Sequence, residues 1–490
     1  MSVTVVDHVG DEPRRYASAS VDELPGTDRN EPDRAVNAPP ETAHRDDPRI
    51  VEGHSGVRTG AGADRWRIEA GEQVRLVAHL ARWIVLGAAS GALAGLASFV
   101  FLDGLDRVTR VRVAHGWLLF LLPVAGLAIG VLHDRLGGRA TQGTSLLLAE
   151  IHEPTEWIPR RMTPMVLVGT WVTHVFGGSA GREGAAVQMS GSLSDGLARL
   201  LRLRSGDRGL LLVAAMSAGF GAVFGVPLAG AVFGLEVQTV GRVRYEAIVP
   251  ALTGSLVGDV VVRGLGYHHT ARAAVAAGTG VALLAKVALT GLAFGLTSTA
   301  FVELTEFVKR LARRVTQPAL RPAVGGVAVV VLAALFGRDY LGLSLPLLDR
   351  AVAGQHVVWW AFALKLAFTA VTLGCGFPGG EVTPLLVVGA ALGAALAGPL
   401  GLPVAVLAAV GMVAVFAAAA NTPLACTIMG VELFGSGALL PIAVGCVAAY
   451  VFSSHRGIYD AQRIAASKGP NPIDGRPTLR TWSTRRRDDT

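Results

Sequence analysis

Two stretches of this chain, almost two hundred residues apart, carry the same helix breakers and the same acid. Residues 209–237 read GLLLVAAMSAGFGAVFGVPLAGAVFGLEV, and residues 416–435 read FAAAANTPLACTIMGVELFG. They align without gaps: Pro227-Leu228-Ala229 with Pro423-Leu424-Ala425, Gly234 with Gly430, and Glu236 with Glu432. A second pair lies upstream, where GGSAGREG at 177–184 has its counterpart in GCGFPGGEVTP at 374–384, setting Glu183 against Glu381. Chance similarity between Ala/Leu-rich helices explains shared Leu and Ala. It does not readily explain Pro, Gly and Glu matched at one offset together with a matched pair upstream. The chain is therefore expected to contain an internal repeat. Halves with Gly/Pro-broken segments at corresponding positions are the pattern of a transporter whose site lies between the repeats.

The surroundings of the repeat set the solvent. Of 490 residues 51% are hydrophobic and only 17% charged, and the mean hydropathy is +0.47. Crossing the ~30 Å hydrocarbon core takes about 20 apolar residues. Runs near 80–101, 117–132, 209–239, 245–262, 279–301, 323–336, 357–377 and 385–452 are candidates, the last holding several helices; 143–151 is too short. This composition predicts an all-α polytopic membrane protein.

Within it, Gly177 to Leu193 (GGSAGREGAAVQMSGSL) is unusual, with Arg182 and Glu183 adjacent and framed by glycines. Charge at bilayer depth is costly and points to function. Irregular backbone at that depth is tolerated only when buried in protein or lining a cavity. A helix starting near Gly184 would present free N–H groups and the positive end of its dipole, which attract anions. Two readings fit this stretch alone: an anion site beside a carboxylate, or a glycine-rich packing seam with a structural Arg–Glu pair.

Elsewhere the chain reads as framework. Residues 1–74 are polar, Pro-containing and aperiodic, as in a disordered cytoplasmic tail, and show no signal-peptide pattern. The first hydrophobic helix carries Gly87, Gly91 and Gly95, a small-residue packing face. Gly143, Thr144 and Ser145 open a short stub with a hydroxyl suited to an N-cap, and Arg160 to Phe176 reads as a helix. Lys286 and Lys365 near helix starts suggest snorkelling to the interface. Cys375, Cys426 and Cys446 lie in apolar segments and no Cys/His cluster has metal-ligand spacing, so neither metal nor cofactor is expected. Arg199, Arg202, Arg204 and Arg208, then Arg242 and Arg244, then Lys309, Arg310, Arg313 and Arg314 fall in short loops. The positive-inside rule makes these loops and the basic tail, 467–490, cytoplasmic. Gly457 and Tyr459 could open one more short helix before that tail.

GREG at 181–184 followed by VQM, the repeated Pro-Leu-Ala segments, GGEVTP at 379–384 and the late Tyr459 together resemble the CLC family of chloride channels and anion/proton antiporters, over roughly residues 80–466. The resemblance implies a transmembrane domain at 75–466 built of two inverted repeats, about 75–263 and 279–466. It also implies a homodimer in the cell (inner) membrane with one anion pathway per subunit. Carried over residue by residue, Glu183 matches the gating and proton-coupling carboxylate. Thr144 matches a hydroxyl at the inner end of the pathway, and Tyr459 the tyrosine beside it. The backbone at Gly184, Ala185 and Val382 matches the central anion cradle. Three features depart from the chloride/proton pattern: Val237 stands where an inner proton-transfer carboxylate is usual, and the second-half motif carries Glu381 and Thr383. These departures, and IHEPTEWIPRRMTPMVLVGT before GGSAGREG, look most like the fluoride/proton antiporter branch. The retained hydroxyl of Thr144 fits that branch less well. The expected function is a proton-coupled halide antiporter exporting fluoride, with Glu381 as a second pore carboxylate and Thr383 as an anion ligand. The alternative is a chloride/proton antiporter or passive chloride channel on the same fold.

An enzyme was weighed against transport, because Gly177-Gly178-Ser179-Ala180-Gly181 satisfies G-x-S-x-G. That motif needs a strand-to-helix elbow and a His/Asp relay. Here a helix precedes it and His174 is the sole nearby histidine, so transport rather than catalysis is expected.

Overall fold

Helix breakers divide the chain into two sets of eight helices that follow one another in the same order. The computed structural model describes residues 60–488 apart from 470–472, 474 and 476. The first set is α1 (Gly60–Ala114), α2 (Leu122–Leu136), α3 (Thr144–His152), α4 (Met162–Val175), α5 (Glu183–Leu200), α6 (Ser205–Phe224), α7 (Pro227–Glu236) and α8 (Ile248–Gly264), with strand β1 (Thr239–Val240) between the last two. The second is α9 (Val281–Ala312), α10 (Arg321–Phe336), α11 (Leu345–Val352), α12 (Ala361–Gly374), α13 (Val382–Leu400), α14 (Val404–Ala420), α15 (Pro423–Phe434) and α16 (Leu439–Phe452), followed by β2 (Arg463–Ile464) and α17 (Leu479–Asp488). The repeat read from two motifs thus extends through both halves.

The breaks have local causes. Helix α6 stops at Gly225 (φ +72°) and α14 at Asn421 (φ +58°), left-handed positions that favour exactly these two residue types. Pro227 and Pro423 then occupy the first turn of the next helix, where a missing N–H costs nothing. Helices α4 and α12 end in matched turns: Gly178 N–H bonds Thr173 O and Phe377 N–H bonds Thr372 O, with Gly177 and Gly376 both at positive φ.

Composition decides which helices lie inside. Helix α14, apolar on every face, is buried almost throughout, as are most of α6 and α13. Gly389 and Gly393, one turn apart on α13, let its backbone approach α14: a Cβ at Gly389 would lie 2.0 Å from Gly411 O, and one at Gly393 2.1 Å from Leu407 O. The Gly87, Gly91 and Gly95 face of α1 meets Pro250, Gly254 and Gly258 of α8. By contrast α1, α9 and α10 turn Leu96, Val100, Leu289, Leu296, Val324, Val327 and Val331 outward. Among the described residues seven helices are long and apolar enough to cross a membrane, and these outward residues suit lipid. A buried ion cluster braces the α3–α4 loop: Arg208 bonds Asp195 at 2.5 Å, Glu150 at 3.1 Å and the Glu156 carbonyl at 2.9 Å.

Several expectations are corrected. Residues 1–59 of the expected tail lie outside the described residues, and α1 already begins at Gly60. Lys365 does not snorkel. It is fully buried, donating to Ser179 Oγ (2.9 Å), Gly342 O (2.7 Å) and Tyr340 O (3.3 Å), because backbone broken at 340–342 supplies carbonyls in place of water. Thr144 is the first residue of α3 rather than its cap; Gly143 (φ +62°) precedes it and no side chain caps the helix. Gly457 and Tyr459 open no helix. The chain there turns into β2, which pairs in parallel with β1. The expected tail after 467 returns through Leu479, buried against Val240 and Ile464.

Since the α13–α14 seam leaves no room for a methyl group, Gly389→Ala should cost at least about 1–3 kcal/mol through overpacking. This is read as a lower thermal midpoint of the purified protein in detergent. Gly398→Ala, with nothing within 4 Å of an added Cβ, is the control and should leave the midpoint unchanged.

Candidate functional site

The four broken helices α5, α7, α13 and α15 all begin inside the protein, and the two halves meet at these starts. Gly181 and Gly380 form a single antiparallel bridge: Gly181 N–H bonds Gly380 O at 2.6 Å and Gly380 N–H bonds Gly181 O at 2.8 Å. Residues matched by the repeat therefore bond one another reciprocally, as an axis of inverted symmetry between the halves requires. The same reciprocity recurs at the other pair. Glu236 accepts from Leu424 N–H (3.1 Å) and Ala425 N–H (2.8 Å), while Glu432 accepts from Leu228 N–H (2.9 Å) and Ala229 N–H (2.7 Å). Each half supplies a carboxylate to the start of the other half's Pro-Leu-Ala helix, satisfying N–H groups that have no helical partner. Val237, beside Glu236, is buried and apolar.

The bridge also corrects the repeat register. Pairing Gly181 with Gly380 sets an offset of 199, and the helix starts Glu183 and Val382 keep it. Glu381 is thus the counterpart of Arg182, not of Glu183. One residue is roughly 100° of helix rotation, so the two carboxylates point to different places.

Glu183 is fully buried. Its Oε2 accepts from Thr383 N–H at 3.0 Å and Arg182 N–H at 3.1 Å, and its Oε1 accepts the Thr383 hydroxyl. Arg182 Nε stands 3.6 Å from Oε1. The carboxylate therefore sits on the N-terminus of α13 in the position a small anion would take, with its two oxygens standing in for that anion. Glu381 instead lines a cavity of about 340 Å³ on the other side of the bridge. Thr144, Gly184, Ala185, Val382 and Tyr459 line the same cavity. Thr383 does not; with Glu183 it borders a smaller cavity of about 50 Å³. Most of the residues singled out in the sequence thus converge: Glu183 borders the smaller cavity, and its neighbours Gly184 and Ala185 line the larger one.

Some lining residues were not singled out. Gln188, one turn along α5 from Gly184, lines the larger cavity and its Nε2 donates to the Thr144 hydroxyl at 3.4 Å. The i, i+4 spacing from Gly184 was the available signal. Lys309 and Asp460 stand at the same cavity, Lys309 paired with Glu306 at 2.8 Å. His269 and Arg272 line the smaller one, together with Arg182, which the sequence had marked beside Glu183. Ser179, the candidate nucleophile, bonds Lys365 Nζ and Thr369 Oγ1, whereas His174 is tied to the Thr170 and Ala180 carbonyls. No Ser–His contact forms.

Similarity searches agree with this geometry. The family model described as voltage gated chloride channel matches residues 125–454. A Pseudomonas syringae pv. tomato protein described as a chloride/fluoride channel protein is 44% identical over 82% of this chain and 91% of its own length. An H+/Cl− exchange transporter ClcA from Yersinia pestis is 26% identical over 76% of this chain and 85% of its own. Among solved structures, a CLC-type fluoride/proton antiporter is similar with TM-score 0.76 and 34% identity, covering 79% of this chain and 98% of the other. A slow cyanobacterial Cl−/H+ antiporter shares the fold at TM-score 0.65 and 20% identity, covering 76% and 94%. With a bridge between inverted halves, helix starts gathered at one carboxylate and a family match across most of its length, the chain belongs to the CLC family of chloride channels and transporters.

Proposed function

We propose that this protein exports fluoride in exchange for protons, and that Glu183 carries out the coupling. The observation that carries this reading is the seat of the Glu183 carboxylate on the α13 N-terminus, where it borders the smaller cavity while its neighbours Gly184, Ala185 and Val382 line the larger one. A carboxylate and a halide compete for the same N–H and O–H donors. Protonation removes the negative charge that holds the side chain there, so the site passes to the anion and the proton travels with the side chain. The larger cavity faces the cytoplasm in this reading, because Lys309 on its wall lies in the last turn of α9, at the head of the basic cluster Arg310, Arg313 and Arg314. Both termini are then cytoplasmic, and the protein acts as a homodimer in the inner membrane.

Fluoride is favoured by the donors. It is small and strongly hydrated, so removing its water takes close, strong hydrogen bonds. Thr383 offers both its N–H and its hydroxyl at one point. Glu381, when protonated, adds a donor facing the larger cavity, and it replaces the inner carboxylate that Val237 lacks. The relatives described as a chloride/fluoride channel protein and a fluoride/proton antiporter support the same choice. Chloride/proton exchange is the second reading, and the Thr144 hydroxyl at the cavity wall favours it.

Vesicles containing the purified protein should release fluoride faster than chloride when both are followed with ion-selective electrodes. Chloride release as fast as fluoride would transfer the assignment to the second reading. Thr383→Val should slow fluoride by about tenfold, the loss of one charge-assisted hydrogen bond worth ~1.5 kcal/mol, with less effect on residual chloride.

Glu183→Gln preserves shape without a titratable group and should abolish fluoride-driven proton uptake, measured with a pH electrode in lightly buffered vesicles. Uphill proton movement in that variant would remove Glu183 from the coupling step. Glu381→Ala should impair coupled transport while Val237→Ala leaves the proton-to-fluoride ratio unchanged; a normal ratio and rate in Glu381→Ala would reduce Glu381 to a framework residue.

A further inference from the structure

The smaller cavity raises a question that Glu183 alone does not answer. Its carboxylate is fully buried and its oxygens are engaged by Thr383 and Arg182. A proton must nevertheless reach it from the side of the protein where the cavity opens. The cavity runs from Glu183 and Thr383 past His269 to exposed Thr270 and Asp349. At about 50 Å³ it can hold water, which needs only ~10–15 Å³ of such space per molecule.

Of the ionisable groups on its wall besides Glu183, Arg182 and Arg272 do not release protons in proteins, and Asp349 is paired with Arg272 at 2.8 Å. His269 remains. We propose that His269 is the proton relay between the solvent on this side and Glu183. The proposal rests on the antiport reading above.

The ring is suited to the task by what it lacks. A relay accepts a proton at one nitrogen and releases one from the other, so neither can be committed to a fixed partner. Both ring nitrogens of His269 are enclosed. The Ala222 carbonyl lies nearby, but neither nitrogen completes a hydrogen bond to a described residue. His174 is the contrast: each of its nitrogens lies within hydrogen-bond distance of a backbone carbonyl, Thr170 O at 2.8 Å and Ala180 O at 3.1 Å, and whichever carries the proton is tied to the backbone, so it is framework. In the relay step a hydronium from the rim adds a proton to one nitrogen of neutral His269. The imidazolium loses the proton on its other nitrogen to cavity water, which passes one to the Glu183 carboxylate. The ring ends neutral in its other tautomer, Glu183 ends neutral, and a ring flip or solvent exchange resets the tautomer.

The charges around the ring keep it neutral between transfers. Arg182 before α5, Arg263 on α8 and the adjacent His268 face it, Tyr267 stacks edge-on at 5.3 Å and is itself linked to Asp106 of α1, and the Arg272–Asp349 pair closes the rim. Burial, then Arg182 and Arg263, push its pKa down to about 4.

The test uses full-length protein in liposomes, comparing wild type, His269→Ala and His269→Gln for fluoride-driven proton uptake between pH 4.5 and 8, with fluoride binding measured by calorimetry. Both variants should bind fluoride as wild type does and lose proton-coupled turnover by at least about tenfold. Imidazole in the external medium should restore His269→Ala. Unchanged turnover in both variants, or loss of fluoride binding along with turnover and no imidazole rescue, would overturn the relay while leaving antiport intact. Wild-type vesicles that move fluoride without protons would overturn both.

Discussion

Every helix that starts inside this protein leaves backbone N–H groups without a helical partner, and the architecture follows from how those groups are met. Water does so at a surface; here carboxylates do. Glu432 serves α7, Glu236 serves α15, and Glu183 serves α13. In each case the acid comes from the opposite half of the chain. Gly184 and Ala185, in the first turn of α5, line the larger cavity instead. The devices that join the halves and the device proposed to bind the anion are therefore the same: negative charge at the positive end of a broken helix.

Two of these carboxylates differ from the third in what surrounds them. Glu236 and Glu432 each accept two backbone N–H bonds and are fixed by them. Glu183 likewise accepts two backbone N–H bonds, but it also takes a side-chain hydroxyl and borders the smaller cavity, which is why it is the one proposed to yield its seat to an anion. That difference separates framework from proposed gate more clearly than residue type does. The same contrast applies to the histidines His174 and His269, and to the hydroxyl of Ser179, which is locked by Lys365 and Thr369 into joining the two halves.

Much of this was legible in the chain. Pro227, Pro423 and the glycines around 177–184 and 374–380 break helices through their own backbone chemistry, so the breaks, the repeat and the membrane class could be read locally. Their conjunction with GREG and GGEVTP sufficed for the family resemblance. Placement was another matter. Glu183 and Glu381 looked like counterparts, but the Gly181–Gly380 bridge shifts the register by one and sends Glu381 to the larger cavity. Lys365 resembled an interfacial lysine until the broken backbone at 340–342 was seen to enclose it. Asp460 and His269 are marked by nothing adjacent in sequence, and Lys309 reads there only as one of a basic cluster.

What the sequence by itself determined, then, is where helices start and stop, that the halves are duplicates, and that the chain lives in lipid. These depend on φ preference, missing N–H groups and hydropathy, which act over a few residues. What only the tertiary structure decided is which oxygen meets which N–H and which side chain borders which cavity. Those contacts join residues about two hundred positions apart, and a rotation of one residue along a helix is enough to change them.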